Sequence, residues 1–275
     1  GQILAGLNPE VISSYRERYG ENWSEPCLRD FQEQIKEYEK IRRELDQLLD
    51  RLKKEVGLSE SEAISPEQMT ELEQKLPEDL RQKEKELRQK AYAYIGRVSV
   101  EVGDVVTFPA LQVHSLQHGI RVIEFQTPHY ERLIVMFAQK VLTQNHWDTD
   151  RAMDLLNTEP YRLPEPQLLR EEDGYLEERI VDFPDFSSER IRMDENVSRK
   201  FQCEGRYHLI ICVKGKLRLE SQSGSSLELL PEEAVFLPAS TSFYRVTNSG
   251  ADSMIFLRAV PVTAHSAKLD KDASK

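Results

Sequence analysis

Residues 103–114 read Gly-Asp-Val-Val-Thr-Phe-Pro-Ala-Leu-Gln-Val-His. Gly103-Asp104 is a tight-turn pair, Val105–Phe108 an apolar run of strand type, and Pro109 opens a second turn. The spacing is Gly, five residues, Pro, four residues, His. A turn–strand–turn unit of this kind delivers His114 to the interior of a β-barrel. There it is either a core imidazole satisfied by hydrogen bonds or a metal ligand, and the residues alone leave both open. The continuation, Ser115-Leu-Gln-His118-Gly119-Ile-Arg-Val-Ile-Glu124-Phe-Gln126, adds an imidazole and a carboxylate, with a strand expected over Ile120–Phe125.

The texture on both sides of this stretch is mainly β. Gly1–Leu7 reads as a strand and 9–19 as a short helix with Asn8 as cap and Pro9 in the first turn. Tyr94–Val102 alternates. A short helix is expected over 147–157. Pro160, Pro164 and Pro166 mark a linker over 161–174. From Tyr175 to Val262 short strands recur: Ile180–Phe183, Ser188–Arg192, Tyr207–Val213, Lys216–Ser221, Ser226–Leu229, Ala234–Leu237, Phe243–Thr247 and Met254–Val260. Many short, evenly spaced strands imply a sandwich or barrel. Residues 263–275 form a polar tail.

One segment breaks the pattern. Phe31, Ile35, Tyr38, Leu45, Leu49, Leu52 and Val56 form a heptad-like stripe interrupted by Arg42. Ser65-Pro66-Glu67-Gln68 is a capping box, and Met69, Leu72, Leu76, Leu80 and Leu87 form a second stripe with a restart at Pro77. Residues 31–90 therefore read as an inserted α-helical hairpin, a structural arm or interaction surface. They carry 29 of the chain's charged residues (37 Lys and Arg, 48 Asp and Glu), so the rest has ordinary globular composition.

The net charge of −11 argues against a nucleic-acid binder, which needs a basic face. It leaves room for a small anionic substrate held by two or three cations. Cys27, Cys203 and Cys212 are odd in number and lack CxxC spacing, which fits a reducing, cytoplasmic setting. No apolar stretch approaches a membrane span. The start, lacking Met and a signal pattern, suggests a chain beginning inside a longer protein.

The Gly103–His114 spacing resembles the second conserved motif of the cupin superfamily, G-x5-P-x-G-x2-H, with Leu111 in place of the middle Gly. Residues 114–126 resemble the H-A-L-x-x-G-x-x-x-x-E-x-Q signature of type I mannose-6-phosphate isomerases, two-cupin zinc enzymes that interconvert mannose 6-phosphate and fructose 6-phosphate. Residues 1–20 and 146–157, and the Val213-Lys-Gly215 and Leu237-Pro-Ala239 turns within 175–260, extend the likeness. The resemblance implies double-stranded β-helix barrels. The first, over 1–30 and 91–160, would be incomplete and interrupted by the hairpin; the second, over 175–262, would be complete. It further implies an aldose–ketose isomerase acting on a phosphorylated hexose. His114 would be a zinc ligand, Glu124 a proton-transfer or substrate-orienting carboxylate, and Arg132 a partner for negative charge.

The departures bear on activity. The family's other metal ligands have no counterpart ahead of Gly103, so this chain alone is expected to be inactive. His114, His118, Glu124 and His129 form an alternative donor set. Without the resemblance, Glu124 and Arg132 read as a cross-strand ion pair. In the second barrel the motif becomes Glu232-x5-Pro238-x-Ser240-x2-Phe243, and an aromatic ring cannot ligate the metal. That barrel is expected to be metal-free and structural, with His208 a core residue. A non-enzymatic cupin with a helical oligomerisation or partner-binding arm is the alternative. Self-association is expected through the incomplete barrel edge or the hairpin.

Overall fold

The computed structural model describes residues 1–59, 64–128, 132–141 and 143–262. The chain divides into two compact units. The first comprises Gly1–Asp104, Phe108–Val122 and His129–Arg162; the second comprises Val105–Thr107, Ile123–Pro128 and Leu163–Lys275.

In the first unit, β1 (Gln2–Leu7) lies between β2 (Ile95–Ser99) and β3 (His114–Leu116), antiparallel to both. As the central strand it is buried on both faces, with Ile3, Leu4, Ala5 and Leu7 sealed from solvent. Gly6 adopts φ +64° where the register with β2 shifts, and a Cβ there would sit 2.8 Å from Tyr161 Cβ. A side chain at this position would collide as well as strain the backbone. Helix α1 (Pro9–Tyr19) starts as expected: the Asn8 side chain accepts from the Glu10 N–H at 3.0 Å.

Helix α2 (Ser24–Glu55) faces α3 (Pro66–Gln74) and α4 (Glu78–Tyr92), which gives the expected hairpin. The Ser65–Gln68 capping box is present in both directions. Phe31, Ile35 and Tyr38 are fully buried, a burial that contributes about 1.5–3 kcal/mol for a large side chain. Arg42 breaks the stripe for a structural reason. Its guanidinium lies 2.8 Å from Asp46 and 3.9 Å from Glu84 on α4, all three side chains being buried. Tyr38 also donates to Glu84, at 3.1 Å. Most of the two apolar stripes is thus consumed in the unit's own core, together with Trp23, Trp147 and Met153, while Val56 at the end of the first stays exposed. Helix α5 (Thr149–Leu155) completes this unit.

Two expected strands are not formed. Val105–Phe108 and Ile120–Phe125 have irregular backbone. Apolar alternation makes a strand only where another strand offers a hydrogen-bonding edge, and β3 pairs with β1 alone among the described residues.

Among the described residues the second unit contains ten strands: β4 (Gln167–Glu172), β5 (Tyr175–Asp182), β6 (Phe186–Met193), β7 (Ser198–Gln202), β8 (His208–Lys214), β9 (Leu217–Ser221), β10 (Ser226–Leu229), β11 (Ala234–Leu237), β12 (Phe243–Asn248) and β13 (Met254–Pro261). They form two antiparallel sheets, ordered β10-β9-β12-β7 and β11-β8-β13-β6-β5-β4. Apart from the β9–β10 hairpin, the eight strands β6–β13 alternate between the sheets, in the order of a jelly roll, the double-stranded barrel of cupins. Strand β4 lies in the stretch read as a linker, and β7 was not foreseen. All of β4 is exposed, and Phe201 is the one buried residue of β7, so neither carries a strong apolar alternation. No helix among the described residues is long and apolar enough to cross a membrane. The polar tail from Thr263 lies outside the described residues.

Candidate functional site

The Gly103–His114 segment builds two tight turns. The Asp104 N–H reaches Glu101 C=O at 3.2 Å with Gly103 at φ +101°. The Gln112 N–H reaches Pro109 C=O at 3.2 Å with Leu111 at φ +67°. Positive φ at the third residue is the mark of a type II turn and favours glycine there. Leu111 therefore holds the conformation of the glycine it replaces in the motif. A non-glycine residue in this region costs about 1–2 kcal/mol, part of which glycine's extra unfolded-state entropy offsets. Leu111→Gly is expected to stabilise the first unit by up to about 1 kcal/mol, read by urea unfolding followed through Trp23 and Trp147 fluorescence. A destabilisation would contradict the strain assigned to this turn.

From that turn the chain enters β3, where His114 pairs with Ala5 of β1. The imidazole is stacked on Phe108, with centroids 4.0 Å apart and planes 10° apart. Its Nδ1 lies 2.8 Å from Gln112 C=O. A carbonyl only accepts, so Nδ1 carries the proton and Nε2 keeps its lone pair. That Nε2 lone pair belongs to the neutral ring, and the side chain is exposed rather than delivered to a barrel interior. Gln112 is buried; its Oε1 accepts from Asn157 at 3.3 Å, and its Nε2 has no partner.

The other expected site residues are placed separately. Glu124 is exposed in irregular backbone within Ile123–Pro128, the segment that groups with the second unit. Arg132 is exposed in the first unit and donates from Nη2 to Thr143 Oγ1 at 3.1 Å. Neither lies in a strand, so no cross-strand pair exists. His129 lies outside the described residues. Among the described residues no group of three His, Cys, Asp or Glu side chains could hold a metal ion. His114 could supply one donor, but catalytic zinc takes three from the protein. The described donors therefore do not complete a zinc site.

Sequence reasoning missed the polar end of the second barrel. On three neighbouring strands the inward positions run apolar and then turn polar. They are Met193, Ile191 and Glu189 on β6, Met254, Phe256 and Arg258 on β13, and Cys212, Ile210 and His208 on β8. Arg258 contacts Glu177 at 2.9 Å and Glu189 at 3.3 Å, with all three side chains largely buried. Burial favours the neutral guanidine, but Glu189, Tyr244 and Glu177 outweigh it and hold Arg258 protonated more firmly than usual. His208 is 1% exposed, and its Nδ1 lies 2.9 Å from the Tyr244 hydroxyl. Burial, aided by Arg258 and Arg206, pushes the His208 pKa down to about 4. These residues line a cavity of about 340 Å³. The inward polar ends, H-x-I-x-C and M-x-F-x-R, were visible in the sequence as a signal for it. Phe243, at the position matching His114, lies under Lys200 Nζ at 3.7 Å.

No family model and no curated protein matches the chain. Solved structures do resemble it over about a third of its length. The Schizosaccharomyces pombe Cnp3 cupin domain shares 10% identity over 34% of this chain and 65% of its own, with a TM-score of 0.31. KdgF from Halomonas sp. shares 19% over 36% and 90%, with a TM-score of 0.32. A sugar phosphate isomerase of the cupin superfamily from Silicibacter pomeroyi shares 17% over 33% and 61%, with a TM-score of 0.29. The strand order of the second unit by itself defines its fold, a jelly roll, the double-stranded barrel type found in cupins.

Proposed function

We propose that this chain is part of a sugar phosphate isomerase of the mannose-6-phosphate type, and that His114 is a ligand of its zinc ion. The observation that carries the reading is the His114 imidazole, with Nδ1–H held by Gln112 C=O and Nε2 left as a lone pair. The remaining ligands would come from residues other than those described. Isomerisation moves a proton between C1 and C2 of the sugar. In this reading Glu124 handles that proton and Arg132 pairs with negative charge on the substrate. The rival reading, a binding cupin with a partner-seeking helical arm, draws less support, because most of the hairpin's apolar stripe is buried in its own unit.

Zinc titration of the chain, followed by the imidazole nitrogen resonances, tests the ligand. Zinc is expected to move the Nε2 signal of His114, with weak affinity, and the chain is expected to show no turnover of mannose 6-phosphate near the typical ten per second. In a longer form that does turn over, His114→Ala is expected to abolish zinc-dependent activity, while Ser65→Ala on the hairpin leaves it intact. Full activity of His114→Ala, or a His114 signal indifferent to zinc, would overturn the assignment.

A further inference from the structure

We propose that the second barrel binds a small polyhydroxylated organic anion, a sugar acid or sugar phosphate, in the cavity at the polar end of β6, β8 and β13. The cavity's volume of about 340 Å³ falls within the range of ligand pockets, about 300–1,000 Å³. Six Arg or Lys side chains line it against three glutamates, in a chain whose net charge is −11. The glutamates are already engaged. Glu177 and Glu189 hold Arg258, and Glu204 pairs with Arg206 at 3.0 Å. Arg170 and Arg199 in turn meet Glu172, and Arg179 meets Asp182, so six cations face five carboxylates and the local surplus is one positive charge, against the sign of the whole molecule.

Unmet hydrogen-bonding capacity lies on the same lining. The Nε atoms of Arg179 and Arg199 and the Nε2 of His208 are buried without a partner. A buried donor left unmade is costly, so three around one cavity are a demand for acceptor oxygens. The His208 proton can be placed. The Tyr244 hydroxyl carries one proton and has His208 Nδ1 at 2.9 Å as its acceptor. A neutral imidazole with Nδ1 accepting carries its proton on Nε2. His208 is thus a donor held in place by Tyr244. Carboxylate or phosphate oxygens match the Arg179, Arg199 and His208 donors, and sugar hydroxyls match the remaining acceptor capacity of Glu177 and Glu189.

The inference does not depend on the isomerase reading, and the test keeps them apart. Isothermal titration of the full chain, with chelator present, uses mannose 6-phosphate, glucuronate, inorganic phosphate and mannose. One or both anionic sugars are expected to bind, with mannose at least about tenfold weaker because it lacks the charge-assisted bonds. Comparison of mannose 6-phosphate with glucuronate tells phosphate from carboxylate. The double variant Arg179→Gln/Arg199→Gln is expected to weaken binding about tenfold or more. The bound sugar is expected to shift the His208 nitrogen resonances and leave those of His114 in place. The inference is overturned if neither anionic sugar binds, if mannose binds as well as they do, or if binding survives the double variant. A response at His114 with His208 silent would also overturn it, while supporting the isomerase reading.

Discussion

Arg258→Met is expected to destabilise the second barrel by about 3–5 kcal/mol, the cost typical of removing one partner from a buried ion pair. Arg258 neutralises two carboxylates at once, at 2.9 and 3.3 Å, from three different strands of one sheet. It also lies over the Phe201 ring at 4.7 Å, which methionine replaces only in part. With the guanidinium gone, Glu177 and Glu189 lose their counter-ion while their side chains stay only 12% and 7% exposed. The triple variant Arg258→Met/Glu177→Gln/Glu189→Gln is expected to recover most of the loss, since it removes the stranded charges along with the cation. Hydrogen exchange of the β8 and β13 amides is the right measure, because Trp23 and Trp147 both lie in the first unit. A single-variant loss under about 1 kcal/mol, the range of an exposed pair, would show that the triad is solvated.

Lowering the pH from 6.5 to 4 is expected to cost the same barrel about 3 kcal/mol through His208. Its folded pKa is pushed down from 6.5 to about 4 by burial, with Arg258 and Arg206 adding repulsion. Above pH 6.5 the group is neutral in both states and contributes no pH dependence. Between 6.5 and 4 the unfolded chain takes up a proton that the folded barrel refuses, so stability falls as pH falls. Each pKa unit is about 1.4 kcal/mol, which sets the size of the loss. Tyr244, Glu177 and Glu189 lie among the same groups, so the comparison is with His208→Gln, which keeps them. Stability measured against pH should be flatter for the variant by that amount across this window. Parallel curves would mean that His208 protonates in the folded barrel as readily as in the unfolded chain.

Much of the local structure follows from the sequence because its causes are local. Asn8 and Ser65 cap helices through their own side chains, Pro9 and Pro66 start them, and the Phe31–Tyr38 stripe identifies its buried face. In the second unit, Ser226–Leu229 and Ala234–Leu237 are strands with the expected bounds, since turns at both ends delimit them. The turn that presents His114 was legible too, although Leu111 stands where glycine is easier, because Pro109 and the spacing to the histidine specify it.

What the sequence left undecided depends on partners distant in the chain. Val105–Phe108 and Ile120–Phe125 have strand texture but no ladder, while β4 and β7 have little strand texture and acquire ladders from β5 and β12. A ladder belongs to two strands, and one segment's residues do not announce whether a neighbour will arrive. Arg42 looked like a fault in an apolar stripe until α4 brought Glu84 against it. The polar end of the second barrel is of the same kind. Glu177, Glu189, His208 and Arg258 are scattered over 82 positions of sequence. Antiparallel register alone sets Glu189 opposite Arg258. The residue types and their alternation were fixed by the chain, whereas their meeting around one cavity was decided by the closure of the two sheets, because charge complementarity acts only over the few ångströms that folding creates.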